Sequence, residues 1–159
     1  MRVRRQKGAI VVAQSGFEAY AVDRLKQGGF RITLPRVQVV RALSLAERPL
    51  SAYGIHQEII ASAGRVDVVS VYRILETLSQ LGLVHHIGIV DGYMACRLDE
   101  SHEEDAEHVV CSECGRVTEL TMPDSVMKAT NGQLIALGYK PKETRVEILA
   151  VCPDCSHQN

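Results

Sequence analysis

Residues 67–98 read DVVSVYRILETLSQLGLVHHIGIVDGYMACRL, and this stretch decides the fold class of the chain. Asp67 is a good N-cap, because its carboxylate can accept hydrogen bonds from the amides of a first helical turn. Val71, Ile74, Leu75, Leu78 and Leu81 follow at helical spacing as one apolar stripe, and Gly82 ends the helix. Tyr72, Arg73, Glu76, Thr77 and Gln80 fall on the other face. Beyond Gly82 the pattern turns to strand character over Leu83–Val90 and Tyr93–Leu98, separated by Asp91-Gly92, a preferred two-residue hairpin turn. A helix with one polar face followed by a small hairpin is how a winged helix ends. An exposed Tyr-Arg pair early in that helix suits a recognition helix entering a DNA major groove.

Upstream the chain supplies the other helices of such a domain. Phe17, Ala21 and Leu25 form a stripe from Gly16 to Gln27, stopped by Gly28-Gly29. Thr33 caps a second helix with Pro35 in its first turn and Val37, Val40 and Leu43 inward. Ser51 caps a third, with Ala52, Ile55 and Ile59 at helical spacing until Gly64. Residues 2–7 (Arg-Val-Arg-Arg-Gln-Lys) are a basic arm available to a DNA backbone. Charge is divided to match: residues 1–98 carry 13 Lys and Arg against 7 Asp and Glu, and residues 99–159 carry 5 against 12. A polyanion-binding front half is thus joined to a back half with another task. The expected layout is a winged-helix domain over 1–98 with the arm in 1–15, an acidic linker over 99–106, and a second domain over 107–159.

The second domain announces itself by cysteine spacing. Cys111 and Cys114 form one CxxC pair, Cys152 and Cys155 another. Two such knuckles supply the four thiolates of a tetrahedral site favoured by Zn(II). Gly115 after the first pair, and Pro153 and Asp154 inside the second, agree with tight turns. A thiol redox switch or enzyme is the competing reading, although one CxxC would suffice for it. Strands near Glu107–Cys111, Arg116–Thr121 and Thr144–Val151 flank a helix over Pro123–Leu137 whose face is Met127, Thr130, Leu134 and Leu137. The whole is an α+β chain. About 60 residues make a marginal core, so this part needs both the zinc staple and a partner subunit.

Cys96 is left over. With Asp91-Gly92 as the loop, Ile87 faces Cys96 and His85 faces Leu98, which makes His85 and Cys96 diagonal neighbours on one face of the hairpin. An imidazole and a thiolate can then converge on one metal. His102, Glu103, Glu104, Asp105, Glu107 and His108 cluster in the linker, and Glu119 follows the first knuckle. A mixed set of S, N and O donors suits Zn(II) or another borderline ion. No apolar run nears the ~20 residues that a bilayer crossing needs, so no membrane and a cytoplasmic location are expected. No G-x-S-x-G elbow, phosphate-binding glycine loop or H-E-x-x-H helix points to an enzyme or an organic small-molecule substrate.

Leu34-Pro35-Arg36 after Thr33, Ser51-Ala52-Tyr53, Val71-Tyr72-Arg73, and Cys111-Ser112-Glu113-Cys114-Gly115 with Cys152 to Cys155 resemble, in order, the motifs of the ferric uptake regulator superfamily. His85, the run Tyr93-Met94-Ala95-Cys96-Arg97-Leu98, and Glu119 are similar to its zinc uptake regulator branch. The resemblance implies a transcriptional repressor that binds palindromic, AT-rich operators as a homodimer when metal-loaded. It implies Tyr72 and Arg73 as the DNA-contacting pair, and Arg36 and Thr77 are further candidate DNA contacts. His85, Cys96 and Glu119 become sensing ligands for a regulatory Zn(II), with Fe(II) or Mn(II) as the alternative. Glu104 stands where zinc-sensing relatives have a histidine, so the fourth ligand is His102, Glu104 or His108. Thr144 stands where some members place a C-terminal histidine ligand.

Overall fold

The computed structural model describes residues 14–96, 107–120, 122–142 and 144–156. The chain divides into two compact units, residues 1–102 and 103–159. The expected arm at residues 2–7 and the whole of the expected linker at 99–106 lie outside the described residues.

The first unit is four helices and a hairpin: α1 (Gln14–Gln27), α2 (Leu34–Leu45), α3 (Ala52–Ala61), α4 (Val68–Gln80), β1 (Val84–Ile87) and β2 (Gly92–Ala95). Phe17, Ala21 and Leu25 of α1 meet Val39, Val40 and Leu43 of α2, Ala52, Ile55 and Ile59 of α3, and the Val71, Ile74, Leu75 and Leu78 stripe of α4 in one apolar core. Each fully buried aliphatic side chain contributes roughly 1.5–3 kcal/mol. Local chemistry sets the helix ends. Ser51 Oγ accepts from the Gly54 amide at 3.0 Å, and Asp67 Oδ1 from the Ser70 amide at 2.9 Å. Gly29 and Gly82 take the left-handed conformations (φ +76° and +67°) that close α1 and α4.

Three expectations need correction. Thr33 holds the N-cap position of α2 but makes no side-chain cap bond. In α2 it is Val39, not Val37, that is fully buried beside Val40 and Leu43, because the helix is packed on more than one side. Gly64 does not supply the left-handed turn after α3. Ala63 does, at φ 59°, while a Cβ on Gly64 would come within 2.9 Å of the Ile59 carbonyl oxygen.

The hairpin register is the largest correction. Asp91-Gly92 is not a two-residue loop. Gly88–Val90 forms a 3-10 turn closed by the Asp91 amide on the Gly88 carbonyl at 3.1 Å, and Asp91 alone is left-handed, at φ 45°. Val84 pairs with Ala95, His85 with Met94, His86 with Tyr93 and Ile87 with Gly92. The pairing is displaced by four residues from the expected one. What fixes it lies outside the hairpin: the Tyr93 amide donates to the Leu50 carbonyl at 2.7 Å, and the Leu50 amide to the Tyr93 carbonyl at 3.0 Å. Gly92 begins the strand there because it abuts Pro49, and a Cβ at Gly92 would stand 2.6 Å from Pro49 Cβ. A displacement by an even number leaves every side chain on its original face.

The second unit is β3 (Glu107–Cys111), β4 (Val117–Leu120), α5 (Asp124–Ala136), β5 (Glu147–Ala150) and a short α6 (Pro153–Ser156). Its sheet has the order β4-β3-β5, with β3 antiparallel to β4 and parallel to β5, so α5 lies in the crossover. Met127 and Leu134 of α5 are half-buried, as the helical stripe requires, whereas Thr130 and Leu137 are exposed. Among the described residues of this unit only Val110 and Cys111 are buried hydrophobics.

Gly92→Ala should cost about 1–3 kcal/mol, since the new methyl group overpacks against Pro49 next to the bridge that anchors the hairpin. Thermal unfolding of the first unit would register this as a lowered midpoint; an unchanged midpoint would contradict the close approach.

Candidate metal centre and nucleic-acid interface

The four thiols of the two CxxC motifs meet at the end of the β3–β5 pair. Cys111 ends β3, and the chain turns through Ser112–Cys114, with the Gly115 amide returning to the Cys111 carbonyl at 2.9 Å and Gly115 at φ +72°. The parallel register brings Ala150 opposite Cys111, so Cys152 follows directly beside it. Its amide donates to Cys111 Sγ at 3.3 Å. α6 then carries Cys155 back, and its amide bonds the Cys152 carbonyl at 3.1 Å. An ion pair from Arg116 to Asp154 joins the two knuckles, a contact the cysteine spacing did not disclose.

All four ligand atoms lie within 4.8 Å of one another, and Cys114 Sγ is 3.8 Å from Cys152 Sγ. Sulfurs about 2.3 Å from a tetrahedral Zn(II) are separated by roughly 3.8 Å, so the geometry fits the donor set. The backbone amides of Cys114 and Cys152 stabilise the Cys111 thiolate and pull its pKa down to about 6. Cys155 is pushed up to about 12, first by its hydrogen bond with Cys152, then by burial and the neighbouring sulfurs. Thiols crowded in this way cannot all ionise without a cation among them. Among the described residues, this is the one group of three or more His, Cys, Asp or Glu that could hold a metal ion.

The residues expected to sense metal are divided between the two units. In the first, the Cys96 amide bonds the Leu83 carbonyl at 2.9 Å, placing Cys96 across from Leu83, while His85 stands across from Met94. His85 and Cys96 are therefore diagonal neighbours on one face, as expected, although through the displaced register. Cys96 is buried and His85 half-buried. In the second unit, His108 of β3 is directly opposite Glu119 of β4. The side chain of Glu119, and all of His102 and Glu104, lie outside the described residues. The Glu107 carboxylate accepts the Met122 amide at 3.1 Å, a structural use for one acidic residue of the run.

On α4, Tyr72 and Arg73 are exposed, as are Val69 and Glu76. α3, the turn after it and α4 form the helix-turn-helix, and β1 and β2 the wing. The other two expected contacts have partners within the chain. Arg36 donates to the Arg31 carbonyl and lies over the Phe30 ring, 5.3 Å from its centroid, and Thr77 Oγ1 donates to the Arg73 carbonyl at 3.0 Å. Sequence periodicity missed that His86 and Tyr93 of the hairpin border the same surface as Tyr72. Tight turns flanking them gave no signal of it.

The model of the ferric uptake regulator family matches residues 27–149. The chain is 29% identical over 135 residues to the ferric uptake regulation protein of Legionella pneumophila, covering 84% of this chain and 96% of that one. Among solved structures, a zinc uptake regulator complexed with zinc and DNA aligns with a TM-score of 0.77 at 23% identity, covering 91% of this chain and 96% of that one. The crystal structure of holo XcZur aligns with a TM-score of 0.72 at 26% identity, covering 91% and 99%. Among the described residues no helix is long and apolar enough to cross a membrane. The chain belongs to the ferric uptake regulator family and is a metal-responsive transcription regulator rather than an enzyme.

Proposed function

We propose that this regulator senses Zn(II) and, when loaded, represses transcription in the cytoplasm by binding palindromic operators as a homodimer. Cys111, Cys114, Cys152 and Cys155 hold a structural Zn(II). A second, regulatory Zn(II) is bound by His85 and Cys96, with further donors from His102 and Glu119, and Glu104 or His108 as the other candidates. Tyr72 and Arg73 read base edges, and Arg36 and Thr77 lie near the DNA.

The observation that carries the zinc reading is Cys96: a buried thiol on the same hairpin face as His85, in a unit separate from the four-cysteine group. Thiolate is a far better partner for Zn(II) than for Mn(II) or other hard ions. Two zinc-regulator folds that align with the chain support it, because one of them is a complex with zinc and DNA. Iron sensing is the second reading, favoured by the name of the Legionella relative. A redox role for the CxxC pairs fits poorly, since the pairs converge on each other rather than standing as two dithiols. Dimerisation is supported by the second unit, where Ile135, Leu137, Tyr139, Leu149 and Val151 are all exposed.

Two outcomes test this assignment. Zn(II) must displace the protons of the four-cysteine site, and Cys155, held near 12, is protonated at neutral pH whereas Cys111, near 6, is already a thiolate. Zinc binding to metal-free protein at neutral pH should therefore release protons, and affinity should fall on acidification, more steeply once pH drops below the Cys111 value. Calorimetry in buffers of different ionisation enthalpy measures both, and an affinity independent of pH would count against thiolate ligation. Separately, Cys96→Ala should remove one metal per subunit, leave the dimer intact and abolish metal-dependent operator binding, while Cys96→Glu should retain a site that prefers harder ions. Metal analysis with operator titration decides: full metal content and an unchanged zinc response in Cys96→Ala would remove the sensing site from this residue.

A further inference from the structure

Between α4 and the hairpin runs an open cleft of about 500 Å³. Val69, Tyr72, Arg73 and Glu76 line it from the helix, His86 and Tyr93 from the hairpin. Tyr93 is its fixed part. Both of its backbone polar groups are bonded to Leu50, just before α3, and its side chain is partly buried against the helical core. Its ring lies 4.7 Å from the ring of His86, its cross-strand partner, and His86 Nε2 is 3.0 Å from Asp91 Oδ1 across the turn. Tyr93 is thus held from below by the core, from one side by the start of the helix-turn-helix, and from the other by the His86–Asp91 pair.

Tyr72 is in the opposite condition, 53% exposed on the surface of α4. A half-exposed tyrosine on a helix has two accessible χ1 wells and loses that freedom when it docks. The Tyr93 hydroxyl is held above the ordinary tyrosine range, first by burial, then by Asp91 and by Tyr72. The paired strands β1 and β2 and the turn between them carry no cation to grip phosphates. No Lys or Arg occurs from Val84 to Ala95, and the Asp91 side chain is 87% exposed. What the hairpin can give the reading helix is shape.

Resting on the DNA-binding reading above, we infer that Tyr93 is a positioning residue for DNA readout: its ring, backed by His86, is the wall that holds Tyr72 in one orientation toward the bases. The wing in this chain acts on sequence preference through the recognition helix. Freeing a side chain that must be ordered on binding costs about threefold to tenfold in affinity. Because the wall acts through Tyr72, the loss falls on the preferred sequence and spares binding to arbitrary DNA, which rests on backbone charge.

The test uses the full-length, metal-loaded protein, a duplex enriched by the wild type from a random pool, and a shuffled duplex of the same composition. Tyr93→Leu should lower the ratio of the two affinities by about threefold to tenfold, with metal content and shuffled-duplex binding unchanged. Tyr93→Phe should keep the wild-type ratio, since the wall is kept. In a Tyr72→Ala background Tyr93→Leu should add no further loss, the non-additivity expected of residues that act as one. His86→Ala removes the backing at a side chain that is 37% exposed, and should cost about twofold even where Tyr93→Leu does not fold. A wild-type ratio in the folded Tyr93→Leu protein, or in His86→Ala where Tyr93→Leu does not fold, overturns the inference, as does a loss that persists in full beside Tyr72→Ala. If Tyr72→Ala and Arg73→Ala both leave the ratio unchanged, α4 is not the reading helix, and the parent reading falls together with the inference.

Discussion

Four sulfurs within 4.8 Å of one another are the constraint on which the second unit depends. Its three-stranded sheet has almost nothing else at its centre: Val110 and Cys111 are its only buried hydrophobics among the described residues. A core of that size does not offset the entropy of ordering some fifty residues. A metal held by the thiolates of both knuckles would supply what burial does not, on the order of 10 kcal/mol in small metal-dependent folds. The topology follows the same need. β3 and β5 run parallel, so their ends coincide, and each delivers one CxxC motif to the same point. The apolar residues left exposed on α5 and around β5 are what a unit built this way has to offer a partner.

The first unit is organised on the opposite principle. Its helices close a continuous apolar core. The polar face of α4 is available because the apolar stripe on its other side is fully used. The hairpin is not an appendage of that core. The Leu50–Tyr93 bridge ties it to the residue preceding the α3 cap, so the position of the wing is coupled to both helices of the helix-turn-helix. A rigid scaffold carrying a few mobile polar side chains is the arrangement in which small packing changes alter recognition.

Much of this was legible from the chain. The α3 and α4 caps, the stripe of α4 and the cysteine pairs are local signals, each decided by residues within a turn or two of one another. The hairpin was not, because its register is set by Pro49 and Leu50, some forty residues upstream of β2. The diagonal relation of His85 and Cys96 survived because a displacement of four moves Cys96 from two residues before the partner of His85 to two residues after it, on the same face. Gly64 was read as a conformational requirement, whereas its role is close packing against Ile59 and Gln38, which no single sequence reveals. Arg36 and Thr77 illustrate a third limit: a motif offers the one and a helix face the other as DNA contacts, but only the fold shows their hydrogen bonds within the chain.

The central claim is that zinc occupancy of a site including Cys96 switches DNA binding. A ligand can shift binding only by its differential affinity for the competent state, so the switch must follow free metal concentration rather than total metal. The most direct measurement is therefore operator binding by wild-type protein, loaded at the four-cysteine site, titrated against buffered free Zn(II), Fe(II) and Mn(II). The account predicts that Zn(II) restores binding at the lowest free concentration, with one further ion taken up per subunit. Restoration by Fe(II) or Mn(II) at free concentrations where Zn(II) has no effect would contradict it.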